Sequence, residues 1–415
     1  MFKRNLIAVS LAFAALASAQ VSADVVGGGA TLPEKLYGIP GGTVGILNGS
    51  AGFNDYIGVG SGAGKRAFFN NDSNEFIWDL NGDGETLKTE LVYPSPVTVD
   101  YAGSDSVVTS AELANYNAAH NSAGVPFADQ YGPLVQLPSA ATSVTVPYNV
   151  PGLDKLDLTS ETLAEVFAGE YEVWGDVPGV DLSKITNPNL PITVVYRADG
   201  SGTTEIFLRH LNAVDSSLVP SVSNNFASAI ALDSNIHVGA PGSSGVANAV
   251  NTTPGAITYV SPDYADFDNE AAVVRVNGVL PEEVNVVAAL ESISLPLDGD
   301  GDGVADPADP LAWVPAGQLA DPSAGYSIVG VTNLIFSQCY ADTAAGGDLS
   351  KIKGFLARHY DAFGANNDAD ISAHSLIPLP FDWKIAVEDN FVTNLANNNL
   401  DIGNTTICNG IGRPL

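Results

Sequence analysis

A strand, a glycine-serine loop and a helix follow one another between residues 192 and 211, and this order constrains the fold more than any other feature of the chain. Residues 192–197 are a β-branched run that ends on Arg197, which predicts a buried strand. The loop that follows contains Ser201, which is placed to cap a helix over residues 204–211. Because a helix start offers free N–H groups, glycines allow close approach and arginine adds a forked cation, this unit predicts a site for a small tetrahedral anion.

Apolar β-branched runs alternate with helical patterns along the 415 residues, which predicts an α/β architecture. The chain is too long for one simple core, so we expect two domains or lobes. Residues 144–151 predict a strand that leads into a proline-marked crossing, and residues 326–336 predict a long apolar strand where the chain crosses back. Residues 159–169 predict a helix that begins at a hydroxyl cap and ends at a glycine.

The first 23 residues have the pattern of a secretory signal peptide, because Lys3 and Arg4 precede an apolar run and small residues follow it. Cleavage after Ala19 and cleavage after Ala23 both fit the pattern, and we favour Ala23, so that Asp24 begins the mature chain. No later stretch is apolar for long enough to span a bilayer. We therefore expect a periplasmic or secreted protein, without a lipid anchor because no cysteine lies at the cleavage point.

The chain is strongly acidic, with 47 Asp and Glu against 16 Lys and Arg and a formal net charge of −31. A nucleic-acid partner is excluded as a function class because no basic patch is available to neutralise phosphates. The excess of acidic residues can be explained without any function in binding, as an adaptation that keeps the protein soluble in a salty environment. Since the overall field repels small anions, an anion site here must depend on local donors in a screened cleft.

The two cysteines, Cys339 and Cys408, are expected to form a disulfide, since an even count in an exported protein favours pairing. The bridge would close a loop of about 70 residues near the C-terminus. A catalytic thiol is the weaker alternative.

Three segments nearer the N-terminus repeat the theme of glycines next to hydroxyl residues, at positions 26–33, 59–65 and 101–106. The first is read as a glycine turn, followed by Thr31 and by Pro33 near a helix start. Each segment taken alone is weak evidence, because such stretches are usually only turns. Together with the arginine loop, they would supply hydrogen-bond donors from both halves of the chain.

With these segments the chain resembles the DING-type phosphate-binding proteins, a branch of the periplasmic phosphate-binding proteins that serve ABC importers. The resemblance implies a two-lobed α/β fold of the periplasmic-binding-protein type (type II, with two interlobe crossings) that closes on one phosphate. On this basis we expect residues 24–146 and 330–415 in lobe 1 and residues 147–329 in lobe 2. The stretches that carry the resemblance are 27–33, 56–62, 102–106, 194–205, 332–342 and 408–415.

The resemblance also implies the function, which is high-affinity binding of inorganic phosphate for ABC-type uptake by a monomer that meets the importer's membrane subunits. The alternatives are an exported phosphatase of the DING-like type and, more weakly, a surface phosphate scavenger without an importer. We expect no enzyme, because a hydrolase needs a nucleophile or metals at the phosphate and no such arrangement is evident. The five histidines show no metal-ligand spacing to one another.

The phosphate ligands implied by the resemblance come from both lobes, and Asp105 is the discriminating one. Phosphate near neutral pH keeps a proton that it can donate to Asp105, whereas sulfate has none, so the site should reject sulfate. Arg197 is expected to balance the charge through a bidentate grip. The implied ligands are Thr31, Leu32 through its backbone N–H, Ser61, Asp105, Arg197, Ser201, Gly202 and Thr203.

Two acidic segments predict calcium loops, since hard cations prefer several oxygen ligands on a tight loop. Residues 79–90 fit the twelve-residue calcium pattern, although Thr86 replaces the usual apolar residue at position 8. Residues 298–306 have the same opening. The alternative for both is a solvated acidic loop, and no other cofactor is expected. The candidate ligands of a structural calcium are Asp79, Asn81, Asp83, Glu85, Glu90, Asp298, Asp300, Asp302 and Asp306.

Overall fold

The computed structural model describes residues 24–78, 90–93, 97–292, 307–314 and 316–414. The predicted signal peptide, residues 1–23, lies outside the described residues and stays a prediction. In the described part of the chain no helix is both long and apolar enough to cross a membrane.

The sheets of the described residues contain short parallel strands, one short antiparallel pair and two long antiparallel strands. Together with the helices, they confirm the α/β class. In chain order the strands are β1 (Gly27–Gly29), β2 (Ile57–Gly58), β3 (Ile77–Trp78), β4 (Glu90–Leu91), β5 (Tyr101–Ser104), β6 (Leu134–Ser143), β7 (Asp157–Leu158), β8 (Thr193–Arg197), β9 (His237–Ala240), β10 (Ala256–Ile257), β11 (Arg275–Val276) and β12 (Val329–Ser337).

Helices follow most of these strands directly, as α/β units require. The helices of the described residues are α1 (Glu34–Tyr37), α2 (Ser61–Asn70), α3 (Ser110–His120), α4 (Ser160–Ala168), α5 (Gly202–Val214), α6 (Phe226–Ala229), α7 (Gly242–Thr252), α8 (Glu283–Glu291), α9 (Ala316–Leu319), α10 (Asp348–His359), α11 (Asp368–Ala373) and α12 (Phe381–Val387).

The first sheet has the order β2-β1-β5-β12-β6. Strands β1, β2 and β5 run parallel, whereas β12 is antiparallel to both β5 and β6. The glycine turn that the sequence predicted at residues 27–29 is instead strand β1, which lies inside the sheet between β2 and β5. Glycine is required there because a Cβ on Gly29, which has a φ of 142°, would lie 2.1 Å from the carbonyl oxygen of Gly103.

The second main sheet has the order β10-β8-β9, with all strands parallel and β8 in the middle. Its core is aromatic, since Phe207 of α5 stacks on Tyr259 at 4.6 Å and contacts Phe167 of α4. Each of these rings is fully buried. Burial of such large apolar areas fixes α5 against the sheet, and with it the loop that precedes α5.

Local signals correctly predicted two helices of this region. The Thr159 hydroxyl accepts from the N–H of Thr162 at the start of α4, and Gly169 ends that helix in the left-handed conformation. Likewise the Ser201 hydroxyl accepts from the N–H of Thr204 at 3.2 Å and caps α5. Both helices therefore begin where the sequence places a hydroxyl residue.

The long strands β6 and β12 connect the two sheets, because the chain leaves the first sheet after β6 and returns to it in β12. The predicted strand 144–151 is displaced, since the regular pairing lies earlier, in β6 against β12. Among the described residues, positions 144–151 form only single β-bridges, for example from Thr145 to Val260. The exact lobe boundaries, at residues 146 and 330, stay a prediction.

The C-terminal segment is fixed to the first sheet by a disulfide and a buried arginine. Cys339 and Cys408 are bonded, which confirms the predicted bridge and excludes a free thiol there. The guanidinium of Arg413 is fully buried and donates to the carbonyls of Val99 and Phe68 and to the Ser337 hydroxyl.

Candidate functional site

Four strand-to-helix junctions meet at one place in the structure. Strands β1 and β2 lead into α1 and α2, while β8 and β9 lead into α5 and α7. Parallel neighbours place their carboxyl ends at the same edge of a sheet, so the polar residues that follow them are brought together. The residues that these junctions contribute are Thr31, Ser61, Arg197, Ser201 and Ser243.

Arg197 ends β8 and is only 2% exposed. Its Nε donates to Asp199 at 2.8 Å and its Nη2 donates to the second oxygen of the same carboxylate. Burial opposes ionisation of Asp199, but Arg197 outweighs it, so the pKa of that carboxyl lies below its usual value. The bidentate pair is thus made with Asp199, whereas the sequence predicted such a grip on the ligand.

Arg197 makes two further hydrogen bonds, one from its guanidinium and one from its backbone. Nη1 donates to the Ser243 hydroxyl at 3.3 Å, and the backbone N–H donates to the Tyr259 hydroxyl at 3.1 Å. A guanidinium has five N–H donors, and Asp199 and Ser243 account for three of them. Two donors therefore remain with which Arg197 can bind an anion.

Ser61, the first residue of α2, is fully buried and links two other site residues. Its Oγ accepts from the backbone N–H groups of Asp105 and Gly202, each at 3.1 Å. With both lone pairs occupied, the hydroxyl proton of Ser61 is left to donate into the site. Residue 202 must be glycine for this approach, because a Cβ there would lie 2.4 Å from the Cβ of Asp105.

The threonines of the site are also buried hydroxyl groups. The Oγ1 of Thr203 lies in the first turn of α5 and has no hydrogen-bond partner among the described residues. Thr31 lies between β1 and α1, and its Oγ1 is 2.9 Å from the Ser243 Oγ. Leu32, which follows it, has a fully buried side chain, and its carbonyl accepts from the Ser261 hydroxyl at 3.2 Å.

Asp105, directly after β5, is the one carboxylate among the predicted ligands. It is 2% exposed, and its Oδ1 has no hydrogen-bond partner in the described part of the chain. Burial raises the pKa of Asp105 to about 7, although the nearby Thr332 hydroxyl and Arg197 act in the opposite direction. The arrangement therefore presents a ring of donors with a single buried acceptor.

Three further hydrogen bonds join chain segments near these groups. The Gly62 N–H donates to the carbonyl of Gly200 at 3.2 Å, so the loops that precede α2 and α5 touch. Val107 donates its N–H to the carboxylate of Glu205 at 3.1 Å. Lys35 of α1 donates to the carbonyl of Asp263 at 2.6 Å. Because bulk water is excluded, each donor aimed into the site acts in a medium of low dielectric constant.

Sequence reasoning placed all eight predicted ligands in this neighbourhood but missed three residues that hold them. Asp199 orients Arg197, Tyr259 contacts its backbone, and Ser243 contacts both Arg197 and Thr31. A signal for Ser243 was present, since Gly242 and Ser243 follow a strand and open a helix. Asp199 and Tyr259 carry no local signal, because a single carboxylate or tyrosine has many structural uses.

The predicted calcium ligands fall mostly outside the described residues, and Glu90 alone lies within them. It begins β4, which pairs with β3. Among the described residues no group of three or more His, Cys, Asp or Glu side chains could hold a metal ion. The structure therefore leaves the two calcium loops as predictions.

Comparisons with known proteins agree with this geometry. The model of the PBP superfamily domain matches residues 17–342. Alkaline phosphatase L of Pseudomonas aeruginosa strain UCBPP-PA14 is 43% identical over 439 residues, and the alignment covers 100% of both chains.

Two solved structures carry the comparison further. PfluDING, a high-affinity periplasmic phosphate-binding protein with phosphate bound at pH 8.5, has a TM-score of 0.78 and 39% identity. A phosphate-binding protein from Stenotrophomonas maltophilia has a TM-score of 0.77 and 36% identity. Each match covers 94% of this chain and 100% of the other. The chain therefore belongs to the PBP superfamily and, within it, to the two-lobed DING-type periplasmic phosphate-binding proteins.

Proposed function

We propose that this protein binds inorganic phosphate with high affinity in the cleft between its two lobes and supplies it to an ABC importer. The observation that carries the proposal is the ring of buried donors around the single acceptor Asp105. Phosphate bound in PfluDING, at 39% identity over nearly the whole chain, supports the same ligand. The ligand set we propose is Thr31, Leu32, Ser61, Asp105, Arg197, Ser201, Gly202 and Thr203. The N–H of Gly202, which donates to Ser61 at 3.1 Å, would be shared between Ser61 and the anion.

The hydrogen-bond donors and acceptors of the site favour phosphate over sulfate. The Ser61 hydroxyl and the free donors of Arg197 must donate, because their acceptor capacity is used or absent. When Asp105 is ionised, its Oδ1, which has no hydrogen-bond partner among the described residues, can accept from a ligand that carries a proton. Phosphate carries one near neutral pH and sulfate does not, so a buried unpaired oxygen would penalise sulfate by roughly 10⁴-fold or more.

Calorimetric titration with phosphate, sulfate and arsenate at pH 8.5 and matched ionic strength tests this function, because Asp105 is mostly ionised there and phosphate still carries a proton. Phosphate should bind tightly, arsenate should compete less well because it is slightly larger, and sulfate should bind poorly. Asp105→Asn can turn its amide N–H toward an ionised oxygen, so it should narrow the ratio of phosphate to sulfate affinity. Asp129→Asn, at an exposed position, controls for the loss of one negative charge. A ratio that stays unchanged in Asp105→Asn would show that sulfate is excluded elsewhere.

A phosphatase is the second candidate, because the 43% identical relative is named alkaline phosphatase L. We propose binding without hydrolysis, since the buried Ser61 hydroxyl accepts two backbone N–H groups and contacts no imidazole among its hydrogen bonds in the described residues. His210 and His359 instead contact other buried serines, Ser160 at 2.8 Å and Ser139 at 3.0 Å. Turnover of p-nitrophenyl phosphate, measured with added divalent metal and with EDTA, decides between the two candidates.

The setting that we propose is periplasmic or secreted, with the protein acting as a monomer that meets the membrane subunits of an importer. PfluDING is a periplasmic protein, which supports this location. Light scattering after size exclusion would test for a monomer, whose mass is that of the full chain, 42.8 kDa, less the mass of the predicted signal peptide. We also propose that residues 79–90 and 298–306 bind structural calcium, and that no other cofactor is required.

A further inference from the structure

Ser243 is a buried hydroxyl that connects two of the proposed ligands from different sheets. It is the second residue of α7 and is 1% exposed. Its Oγ lies 2.9 Å from the Oγ1 of Thr31, which follows β1, and 3.3 Å from the Nη1 of Arg197, which ends β8. The contact with Thr31 therefore exists only when the two sheets hold their present relative position.

The local structure does not account for this hydroxyl. The residue at the N-cap of α7 is Pro241, which has no capping side chain, and the N–H of Gly242 donates to the Asp199 carboxylate at 2.9 Å and not to Ser243. The neighbouring Ser244 has an exposed side chain at the same helix start. Serine at position 243 is thus used toward the site and not toward its own helix.

One hydrogen bond of Ser243 has a fixed direction and the other does not. Arginine can only donate, so the Ser243 Oγ must accept from Nη1 of Arg197. Between Ser243 and Thr31 either hydroxyl can be the donor. When Ser243 gives its proton to the Thr31 Oγ1, Thr31 keeps its own proton for the anion.

We propose that Ser243 is a positioning residue that donates its proton to Thr31, so that Thr31 donates to the anion, and that this contact links Thr31 to cleft closure. This inference rests on the proposed function, since Thr31 is taken as a phosphate ligand. Without Ser243, Thr31 could rotate its proton away from the anion, and one contact that favours the closed cleft would be lost. Thr31 would then donate to a ligand oxygen that carries no proton, whereas Asp105 accepts from the ligand oxygen that carries one.

Phosphate affinity and dissociation rate in a double-mutant cycle test this inference. Ser243→Ala should weaken phosphate binding about tenfold, as expected for a hydrogen bond to a charged group, with most of the change in the dissociation rate. The matched control Ser244→Ala should bind as the wild type does. In a Thr31→Val background, which has no hydroxyl to orient, Ser243→Ala should change affinity by less than about twofold. In a Thr31→Ser background the tenfold effect should persist.

The outcomes separate this inference from the proposed function. If wild-type protein fails to bind phosphate, the proposed function and this inference both fall. If the wild type binds but Ser243→Ala equals Ser244→Ala, Ser243 has no positioning role. If Ser243→Ala loses the same factor in the Thr31→Val and Thr31→Ser backgrounds, its effect does not pass through the Thr31 hydroxyl. Melting curves of each variant identify any loss of affinity that comes from unfolding.

Discussion

Replacing the buried acid Asp105 by asparagine should stabilise the phosphate-free protein at alkaline pH. Burial raises the pKa of Asp105 from 3.8 to about 7, so the native state holds this proton more tightly than the unfolded chain does. Stability then falls as the pH rises from the unfolded value toward the folded one, because ionisation in the buried site is unfavourable. Asparagine has a similar size but does not ionise, so this loss should be absent in the variant.

The magnitude follows from the two pKa values. At 1.36 kcal/mol per pH unit, the destabilisation from Asp105 is about 4 kcal/mol at pH 8.5 and about 1.7 kcal/mol at pH 5.0. The advantage of Asp105→Asn over the wild type should therefore grow by about 2.5 kcal/mol between these two pH values. The pKa of Asp100 is also raised by burial, to about 8, but Asp100 is present in both proteins and cancels in the difference.

Urea unfolding followed by tryptophan fluorescence at pH 5.0 and 8.5, in phosphate-free buffer, measures this difference. The exposed Asp129→Asn variant loses the same charge without the burial and should show no such pH dependence. An advantage of Asp105→Asn that is equal at both pH values would refute the reasoning, because it would mean that Asp105 does not titrate in this range. The same variant should bind phosphate less selectively, so the acid is kept for its function at the expense of stability.

Three further predictions can be checked with the same materials. Arg197→Ala should weaken phosphate binding by about 3–5 kcal/mol, as the loss of one partner from a buried charge pair does, and an affinity within twofold of wild type in calorimetry would contradict the site assignment. Calcium should raise and EDTA should lower the melting temperature if residues 79–90 bind the ion, with Asp79→Ala plus Asp83→Ala reducing the response, whereas identical melting would indicate a plain acidic surface. Reduction of the Cys339–Cys408 bridge, which spans 69 residues, should lower the unfolding free energy by about 4 kcal/mol, and an unchanged urea midpoint under reductant would contradict this.

Features whose causes lie within a few residues of the chain were predictable from the sequence. The β8-loop-α5 unit was predicted with its cap at Ser201, because strand, turn and cap signals act over one or two turns of backbone. Helix α4 was predicted for the same reason. The disulfide was predicted as well, since Cys339 and Cys408 allow only one pairing. The acidic composition argues against nucleic-acid binding without reference to any fold, and this stays a prediction.

Features whose causes lie far apart in the chain were decided by the tertiary structure alone. Three consecutive glycines resemble a turn, yet residues 27–29 form a strand between β2 and β5. Glycine is needed there because both neighbouring strands approach too closely for a side chain, β2 at Gly28 and β5 at Gly29. The grip of Arg197 on Asp199, and its contact with Ser243 46 residues away, also appeared only in three dimensions.

The donor pattern of the candidate site shows the same division. The sequence determined which hydroxyls, glycines and charges were available at the ends of the strands. It could not determine that Ser61 would accept from two N–H groups 44 and 141 residues distant. Nor could it determine that the Oδ1 of Asp105 would have no hydrogen-bond partner among the described residues. Hydrogen-bond direction depends on which groups meet, and burial determines how strongly each contact counts. Both are properties of the folded chain, so the chemistry of the site emerged from the sequence only through its tertiary structure.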